Sequence, residues 1–462
     1  MFLLATGLTL LYGQQNTAAG GDRTRGTYAA ISAIEAARSI RDGSFAGLTA
    51  GTHGYALNGA HTWAFSGTSM TVSGGYITAL SVSSSSTDRM TLTSTVDWKH
   101  GIFRAGRVTL QSELTDWRTT RATGDWSGLS LQGTYDAGSN VNFNDVAVSG
   151  NYAFVTSETG GSPGIYVFDI SSLASPARVA ASATLGHAAY GILMKGSVFY
   201  VLTDDPSAEI RVYSVGTPTL FDPSANLLTS YNLSGSALAR SLDIEGSTLV
   251  VGAQYDASHA ELYSFDISSP TAIVSQGSLQ IEYDVSDLAV SGTGVFLATT
   301  DTAGEMTEAM LSGTGGLSYP VSPQYNLTST EAGRSIAVSG TSAVLGRQRG
   351  TSIQEIVLLN GKYGGGSPPP SPGPWYHEGS GSIVAVDLDA TRCYAFLAVD
   401  SSGKAVQVVQ LKDSALPEAA SYDSPHGRAR GIFYDLSRDR LFVTTRKAFL
   451  IFQPSGSAST CL

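Results

Sequence analysis

Six cationic side chains stand just before, or at the start of, short apolar segments in the second part of this 462-residue chain. They are His187, Arg240, Arg334, His426, Arg428 and Arg430. If those segments are the innermost strands of a ring of sheets, these side chains meet at its central channel, where they could hold an anionic ligand such as a sugar acid. The alternative is that the arginines pair with neighbouring carboxylates such as Asp284, Asp287 and Glu331, since structural ion pairs are common.

The sequence contains no pattern that indicates a catalyst. It has no Gly-x-Ser-x-Gly elbow, no His-Glu-x-x-His pair, no phosphate-binding loop and no Asp-x-Asp-x-Asp-Gly calcium loop. The two cysteines, Cys393 and Cys461, lack the His-Cys spacing of a zinc site. We therefore expect no enzyme activity, no metal and no cofactor. In an exported chain the cysteines could form a disulfide that ties down the chain end, and otherwise they are small buried hydrophobes.

Charge is distributed unevenly along the chain, which has a net charge of −11. Up to Asp125 there are ten Lys and Arg against eight Asp and Glu, and from Trp126 onward there are 17 against 30. Nucleic acid binds through clustered Lys and Arg, so this excess of carboxylates argues against a nucleic-acid partner. It is typical of a surface exposed to the medium.

From residue 126 to residue 462 the chain repeats an apolar segment that ends in a turn. Five copies end at glycines 46, 50, 46 and 48 residues apart, and two less regular copies follow: Gly150, Gly196, Gly246, Gly292, Gly340, 383–391 and 431–439. A period in the forties with several short strands per repeat is typical of propeller blades, so seven copies predict a seven-bladed β-propeller. The segment 129–135 is predicted to close the ring by joining the last blade.

The beginning of the chain predicts a different unit. Apolar residues at helical spacing predict a stem helix over 1–43, interrupted near 13–22, where three glycines each cost roughly 1 kcal/mol in a helix. Alternating short strands over 44–118 predict a small antiparallel β-sheet with one face on this helix, and 119–125 predicts a polar linker. The expected fold class is therefore mostly β, with a long N-terminal α-helix and small sheet followed by the propeller.

Four motifs follow the apolar segment 1–12: Glu35-Ala-Ala-Arg-Ser-Ile-Arg-Asp-Gly43, His61-Thr-Trp-Ala-Phe65, Thr93-Ser-Thr-Val-Asp-Trp98 and Leu114-Thr-Asp-Trp-Arg118. Together they make the first quarter of the chain resemble the type IV pilins of the PilV-like group. The resemblance implies a pilin-like β domain around a helix that packs in the core of a helical fibre. The implied core residues are Phe2, Leu3, Leu4, Leu8, Leu10, Leu11, Ile31 and Ile34.

The chain departs from the pilin pattern at its start. Pilins carry a glutamate at the fifth position of the mature chain, whereas five residues counted from Phe2 end at Thr6. The apolar stretch is also about ten residues short of what a membrane-held pilin needs.

Two further sequence features concern the propeller. Phe168-Asp-Ile-Ser-Ser172 and Phe265-Asp-Ile-Ser-Ser269 resemble the repeats of LVIVD-type propellers. The segment 364–374 is rich in glycine and proline, so it is predicted to stand off the surface as a partly stiff arm. It is either a tolerated insertion or a contact arm with glycans linked to Ser367 and Ser371.

These features predict a structural subunit of an extracellular, cell-surface filament of the type IV pilus kind. The helix is expected to polymerise with its own copies after passing through the inner membrane, and the propeller is expected to face outward for adhesion or shielding, with surfaces or glycans as ligands. The alternative is a minor or tip subunit that acts as an adhesin. A secreted propeller enzyme ranks last.

Overall fold

The chain forms two compact units, Met1–Thr120 and Arg121–Leu462. The computed structural model describes residues 2–455 apart from 44, 60–61, 87–88, 101–103, 116–123, 139–140, 159–163, 182–184, 234–237, 320–323, 327–330, 340–341, 351–354, 361–370, 377–380, 390–393, 402 and 412–415, and the side chains of 2–19 lie outside this description. The boundary between the units falls inside the predicted linker, 119–125.

The first unit begins with the α-helix Phe2–Gly43. The helix crosses 13–22 without the predicted interruption, because a break would forfeit several backbone hydrogen bonds and require a second costly nucleus, which outweighs the penalty of the glycines. Its later part packs on the sheet through small and apolar side chains, of which Ala33 and Ala37 are fully buried. At Gly26 a Cβ would stand 2.7 Å from the Trp98 ring, so glycine permits this close approach.

The sheet of the first unit is antiparallel, as predicted. Its strands, with a 3-10 turn Phe45–Gly47 before them, are Gly51–His53, Tyr55–Leu57, Trp63–Phe65, Met70–Val72, Tyr76–Ser86, Arg89–His100 and Arg104–Thr115. Tyr76–Ser86 and Arg104–Thr115 flank Arg89–His100, and Tyr55–Leu57 forms a separate hairpin with Trp63–Phe65. Along Arg89–His100 every second side chain is buried under the helix, including Leu92 and Val96, which confirms the alternation of a half-buried strand.

In the described part of the second unit, the strands form seven antiparallel sheets, which we number as blades 1 to 7. Blade 1 consists of Phe143–Ser149, Tyr152–Ser157, Ile165–Asp169 and Ala177–Ala181. Blade 2 consists of Ala189–Lys195, Val198–Thr203, Ile210–Ser214 and Leu227–Tyr231, with short helices Pro218–Leu220 and Pro223–Asn226. Blade 3 consists of Ala239–Glu245, Thr248–Ala253, Leu262–Asp266 and Val274–Leu279. Blade 4 consists of Val285–Ser291, Gly294–Thr299, Met306–Leu311, Leu317–Ser318 and Gln324–Tyr325. Blade 5 consists of Gly333–Ser339, Ser342–Arg347, Ile356–Asn360 and Ser371–Tyr376. Blades 6 and 7 are Ile383–Leu388, Tyr394–Val399, Val406–Gln410 and Glu418–Tyr422; and Ala429–Asp435, Arg440–Thr445, Ala448–Pro454 and Leu129–Asp136.

The seven blades close into a ring. The first strand of each blade in the order given, its inner strand, contacts the inner strand of the next blade, and that of blade 7 contacts that of blade 1. Leu129–Asp136 pairs with Ala448–Pro454 and so supplies the outer strand of blade 7. The expected mostly β fold with a seven-bladed propeller is therefore confirmed.

The prediction that 364–374 stands off the surface is wrong for its last four residues, because Ser371–Tyr376 pairs with Ile356–Asn360 at the edge of blade 5, where a strand tolerates proline. The rest of that segment lies outside the described residues.

The repeated turns and the core explain this architecture. Four glycines that end inner strands have φ between 52° and 61°, a region that favours glycine, and they are Gly150, Gly196, Gly246 and Gly292. Between blades 6 and 7 the buried Trp126 ring lies 4.9 Å from Phe396, and its Nε1 donates to Asp439 Oδ1 at 3.0 Å. This contact fixes the start of the propeller against its last blade.

Candidate functional site

The inner strands surround a channel with a cavity of about 710 Å³. Small-molecule sites commonly measure roughly 300–1,000 Å³. At one end of the channel, the residue before each inner strand accepts a backbone hydrogen bond from the residue after the second strand. We call this end of the channel, with the first residues of each inner strand, the rim, and these residue pairs mark it: 142 and 158, 188 and 204, 238 and 254, 284 and 300, 332 and 348, 382 and 400, and 428 and 446.

Four aspartates among the described residues line the wall of the channel and join neighbouring blades. In Asp287, Oδ1 accepts from the backbone N–H of Leu288 in its own strand, and Oδ2 accepts from Ile336 of the next blade, both at 2.9 Å. The same arrangement recurs in Asp145, Asp243 and Asp387. These carboxylates hold the inner strands of blades 1 and 2, 3 and 4, 4 and 5, and 6 and 7 together.

Burial raises the pKa of the wall aspartates. The pKa rises to about 6 for Asp145, Asp243 and Asp387 and to about 7 for Asp287. Loss of hydration is the largest cause in each, and the backbone hydrogen bonds only partly oppose it. The side chains border the channel, so part of their surface is accessible, but the surrounding blades displace most of the bulk water. Repulsion from Asp145 and Asp243 raises the pKa of Asp287 further.

The wall aspartates were not predicted from the sequence as site residues. Asp145 and Asp287 occupy the same position in the repeat, since Asp145-Val-Ala-Val-Ser-Gly150 matches Asp287-Leu-Ala-Val-Ser-Gly292. A carboxylate recurring within an otherwise apolar inner strand was the available signal.

Three of the six predicted cationic residues line the channel. Arg240, Arg334 and Arg430 are each the second residue of an inner strand, in blades 3, 5 and 7. The guanidinium of Arg240 lies over the Tyr190 ring, 4.3 Å from its centroid. Arg334 donates from Nη2 to Gln348 Oε1 at 3.3 Å.

The third of these arginines approaches a carboxylate. The Nη2 of Arg430 lies 3.8 Å from Glu158 Oε2. The Nε groups of Arg334 and Arg430 are buried and make no hydrogen bond within the described structure.

The other three predicted residues do not line the channel and contact carboxylates instead. His187 Nδ1 is 3.4 Å from Asp204 Oδ1, and Arg428 Nη1 is 3.2 Å from Asp400 Oδ1. His426 Nδ1 is likewise 3.4 Å from Asp136 Oδ2.

The carboxylates that were predicted from the sequence as ion-pair partners of the arginines have other contacts. Asp284 Oδ1 accepts from the backbone N–H of Tyr255 at 2.8 Å, and Asp287 binds backbone N–H groups as described above. Glu331 Oε2 lies 3.5 Å from the buried guanidinium of Arg347. Ion pairing of cations at the rim therefore occurs, but with partners other than those expected: His187 pairs within its own blade, whereas Arg428 and Arg430 pair with carboxylates of neighbouring blades.

The remaining predicted site residues belong to the first unit and to the chain end. Ile34 is only 7% exposed and packs in the core of its own unit, whereas Ile31 is 42% exposed. Several others lie outside the described residues or have side chains that do: Phe2, Leu3, Leu4, Leu8, Leu10, Leu11, Ser367, Ser371, Cys393 and Cys461. Across the described ranges, no group of three or more His, Cys, Asp or Glu is placed to hold a metal ion, and no helix has the length and hydropathy to span a bilayer.

No protein-family model and no curated protein matches the chain. A chain from a crystal structure of the mitotic checkpoint complex is 14% identical, with a TM-score of 0.55, over 71% of this chain and 95% of that one. The computationally designed Ika8 protein is 13% identical, with a TM-score of 0.45, over 72% and 100%. The extracellular domain of a hybrid two-component system from B. thetaiotaomicron is 13% identical, with a TM-score of 0.46, over 69% and 39%. At such low identity, the similarity to the first concerns the fold alone.

Proposed function

We propose that the chain is a structural subunit of an extracellular, cell-surface filament of the type IV pilus kind. Its N-terminal helix packs with copies of itself in the filament core, and its propeller, of the LVIVD type, is displayed outward for adhesion or shielding. The observation that carries the proposal is a helix longer than its own sheet requires. Phe2–Gly43 spans 42 residues, about 63 Å at 1.5 Å per residue, and among the described side chains none from Gly20 to Arg25 is buried, so that burial begins at Gly26.

The motifs that resemble PilV-like pilins support this proposal through their positions. Trp98 packs under the helix against Gly26, and Leu114 is buried in the same sheet. Glu35 and Arg38, by contrast, form an exposed ion pair of 2.6 Å on the outer face of the helix. The motifs thus lie in the helix and in the small sheet that one side of the helix covers, while Glu35 and Arg38 lie on its accessible side.

The outer face of the helix carries two exposed apolar side chains one turn apart. Tyr28 is 69% exposed and Ile31 is 42% exposed. Residues three apart on a helix lie side by side, so these two form a continuous apolar strip that a second helix would bury. Such a contact fits a homopolymer that assembles after the subunit leaves the inner membrane.

The test is to shear filaments from cells that produce the full chain and to image them by electron microscopy. Ile31→Asp should greatly reduce filament yield, because it places a charge in the proposed helix contact. The matched control is Leu220→Asp, at an apolar residue of the propeller that is 76% exposed. Normal filaments from the Ile31→Asp variant, or only isolated particles from the unmodified chain, would overturn the proposal.

A second candidate function is a minor or tip subunit that acts as an adhesin. The arginines that line the channel without a complete set of partners favour it, since they are suited to ligand binding. The quantity of the chain in sheared filaments separates the two functions. A main subunit dominates the preparation, whereas a tip subunit is scarce.

A further inference from the structure

The rim of the channel has two sides that differ in charge pairing. On blades 6, 7, 1 and 2, which we call the paired side, Arg428, Arg430 and His187 each lie within 4 Å of a carboxylate. On blades 3 to 5, the open side, Arg240 and Arg334 line the channel with no carboxylate at ion-pair distance among the described residues. Within the described part of the chain, the open side therefore presents two positive charges that no carboxylate neutralises by direct contact.

A second observation that favours a ligand is a buried donor without an acceptor among the described residues, which Arg334 on the open side shares with Arg430 on the paired side. The Nε of Arg334 is buried without a hydrogen-bond partner in the described structure. A buried donor with no acceptor costs about 1–3 kcal/mol, and more when the group is charged. An anion in the channel would supply the missing acceptor once the Arg334 side chain turned toward it, and a guanidinium binds a carboxylate especially well through two parallel hydrogen bonds.

Two polar residues line the cavity together with these two arginines, and exposed tyrosines are their neighbours in sequence. Gln254 and Asp284 line the same cavity, and each is adjacent in sequence to an exposed tyrosine. Tyr255 is 49% exposed and Tyr283 is 38% exposed. The Tyr255 N–H donates to Asp284 Oδ1, so the two connecting segments touch. Amide and carboxylate groups in one cavity with cationic groups suit a hydroxyl-rich ligand that carries an acid, and an exposed ring near the cavity can stack on such a ligand.

The wall of the channel limits how deep an anion can enter. Asp243 and Asp287 lie further along inner strands of the open side, and their oxygens already accept backbone hydrogen bonds. A negatively charged group is repelled there and is held at the rim, where Arg240 and Arg334 stand.

We propose that the open side of the rim binds a carboxylate-bearing sugar of the hexuronate class. Arg240 and Arg334 bind the sugar carboxylate, Gln254 and Asp284 bind its hydroxyls, and Tyr255 or Tyr283 covers a face of its ring. This inference goes beyond the filament role and stands without it, since it depends only on the propeller.

The experiment measures binding of D-glucuronate and D-glucose to the full-chain protein by isothermal titration calorimetry. The two probes differ only in a carboxylate against a hydroxymethyl group. Glucuronate should bind at least tenfold more tightly than glucose, and the difference should shrink at high salt because the arginines are accessible to solvent. Equal affinities, or no heat with either sugar, would overturn the proposal.

Variants locate the site. The double variant Arg240→Gln/Arg334→Gln should weaken glucuronate binding at least tenfold, while Arg428→Gln on the paired side should leave it unchanged. Thermal unfolding of each variant establishes that it is folded. Should the double variant unfold, Arg334→Lys replaces it: a loss of several-fold is expected, because lysine keeps the charge but not the planar pair of donors. A loss with Arg428→Gln equal to that of the open-side variant would contradict the assignment. Filament yield is measured separately and does not enter this test.

Discussion

The two sides of the channel rim are built from the same repeat, yet their positively charged side chains have different partners. On the paired side, Arg428 meets Asp400 of the preceding blade and Arg430 approaches Glu158 of the first blade. On the open side, Arg240 stacks on a tyrosine ring and Arg334 meets a glutamine. Blade contacts thus do not require that rim cations be neutralised. In our proposal, the unpaired charge of Arg240 and Arg334 serves ligand binding and not ring closure.

Next to the open side, by contrast, one positive charge is buried and paired with carboxylates. Arg347 directly precedes the rim residue Gln348, and its side chain is 1% exposed. Its Nη2 lies 3.0 Å from Glu305 of blade 4 and 3.5 Å from Glu331. This buried network joins blades 4 and 5, so the open rim stands on a fully enclosed group of charges.

The buried and the exposed ion pairs should differ most in what they contribute to the free energy of unfolding, and this is the largest effect we expect. Arg347→Met removes the cation and leaves Glu305 and Glu331 buried without it, so the free energy of unfolding should fall by about 3–5 kcal/mol. Urea denaturation of the full chain measures the change. The matched control is Arg428→Met on the paired side, where the ion pair is exposed and the loss should stay below about 1 kcal/mol. Similar losses of unfolding free energy in both variants would show that burial does not determine how much an arginine ion pair contributes to stability.

A smaller effect concerns the wall below the rim and its dependence on pH. The carboxyl of Asp287 has a pKa of about 7 in the folded chain against 3.8 as the ordinary value. A raised pKa means that the folded state binds the proton more tightly, so the stability that this group contributes is present below pH 3.8 and is lost as pH rises through 7.

The variant Asp287→Asn isolates this contribution. Unfolding free energies measured from pH 4 to pH 7 should decline less steeply with pH in the variant than in the unmodified chain. The variant should also be less stable at pH 4, because the amide nitrogen of asparagine is a donor and opposes one of the backbone N–H groups of Leu288 and Ile336. Asp169→Asn is the control, since that carboxylate is exposed and bonds only within its own turn. Identical slopes for Asp287→Asn and the unmodified chain would refute the role of burial.

The ring of seven blades could be predicted from the sequence because its turns depend on local chemistry. Gly150, Gly196, Gly246 and Gly292 recur at regular spacing, and each adopts the positive φ that favours glycine. The rim arginines Arg240, Arg334 and Arg430 could be placed for the same reason, since position in the repeat fixes position around the channel.

The partners of charged groups could not be predicted, because they depend on contacts between blades. Asp145 binds a backbone N–H 47 residues away, and Arg347 contacts Glu305 across 42 residues. A glutamate also precedes the third strand in blades 2 to 5 and is almost fully buried in each: Glu209, Glu261, Glu305 and Glu355. In Glu261 the carboxylate accepts from Ile281 and Glu282, in the connection to the next blade. Nothing in the local pattern of the sequence specifies these pairings.

The smallest effect is expected from a variant that makes part of the paired side resemble the open side. Arg430 lines the channel, and its nearest carboxylate is Glu158 at 3.8 Å. Glu158→Gln removes that competing negative charge, and since an exposed pair contributes up to about 1 kcal/mol, glucuronate affinity should rise by about two- to fivefold. Asp400→Asn is the control, because its partner Arg428 does not line the channel and the affinity should not change. If both variants raise the affinity equally, general attraction by net charge governs binding, and the two sides of the rim are equivalent for the ligand.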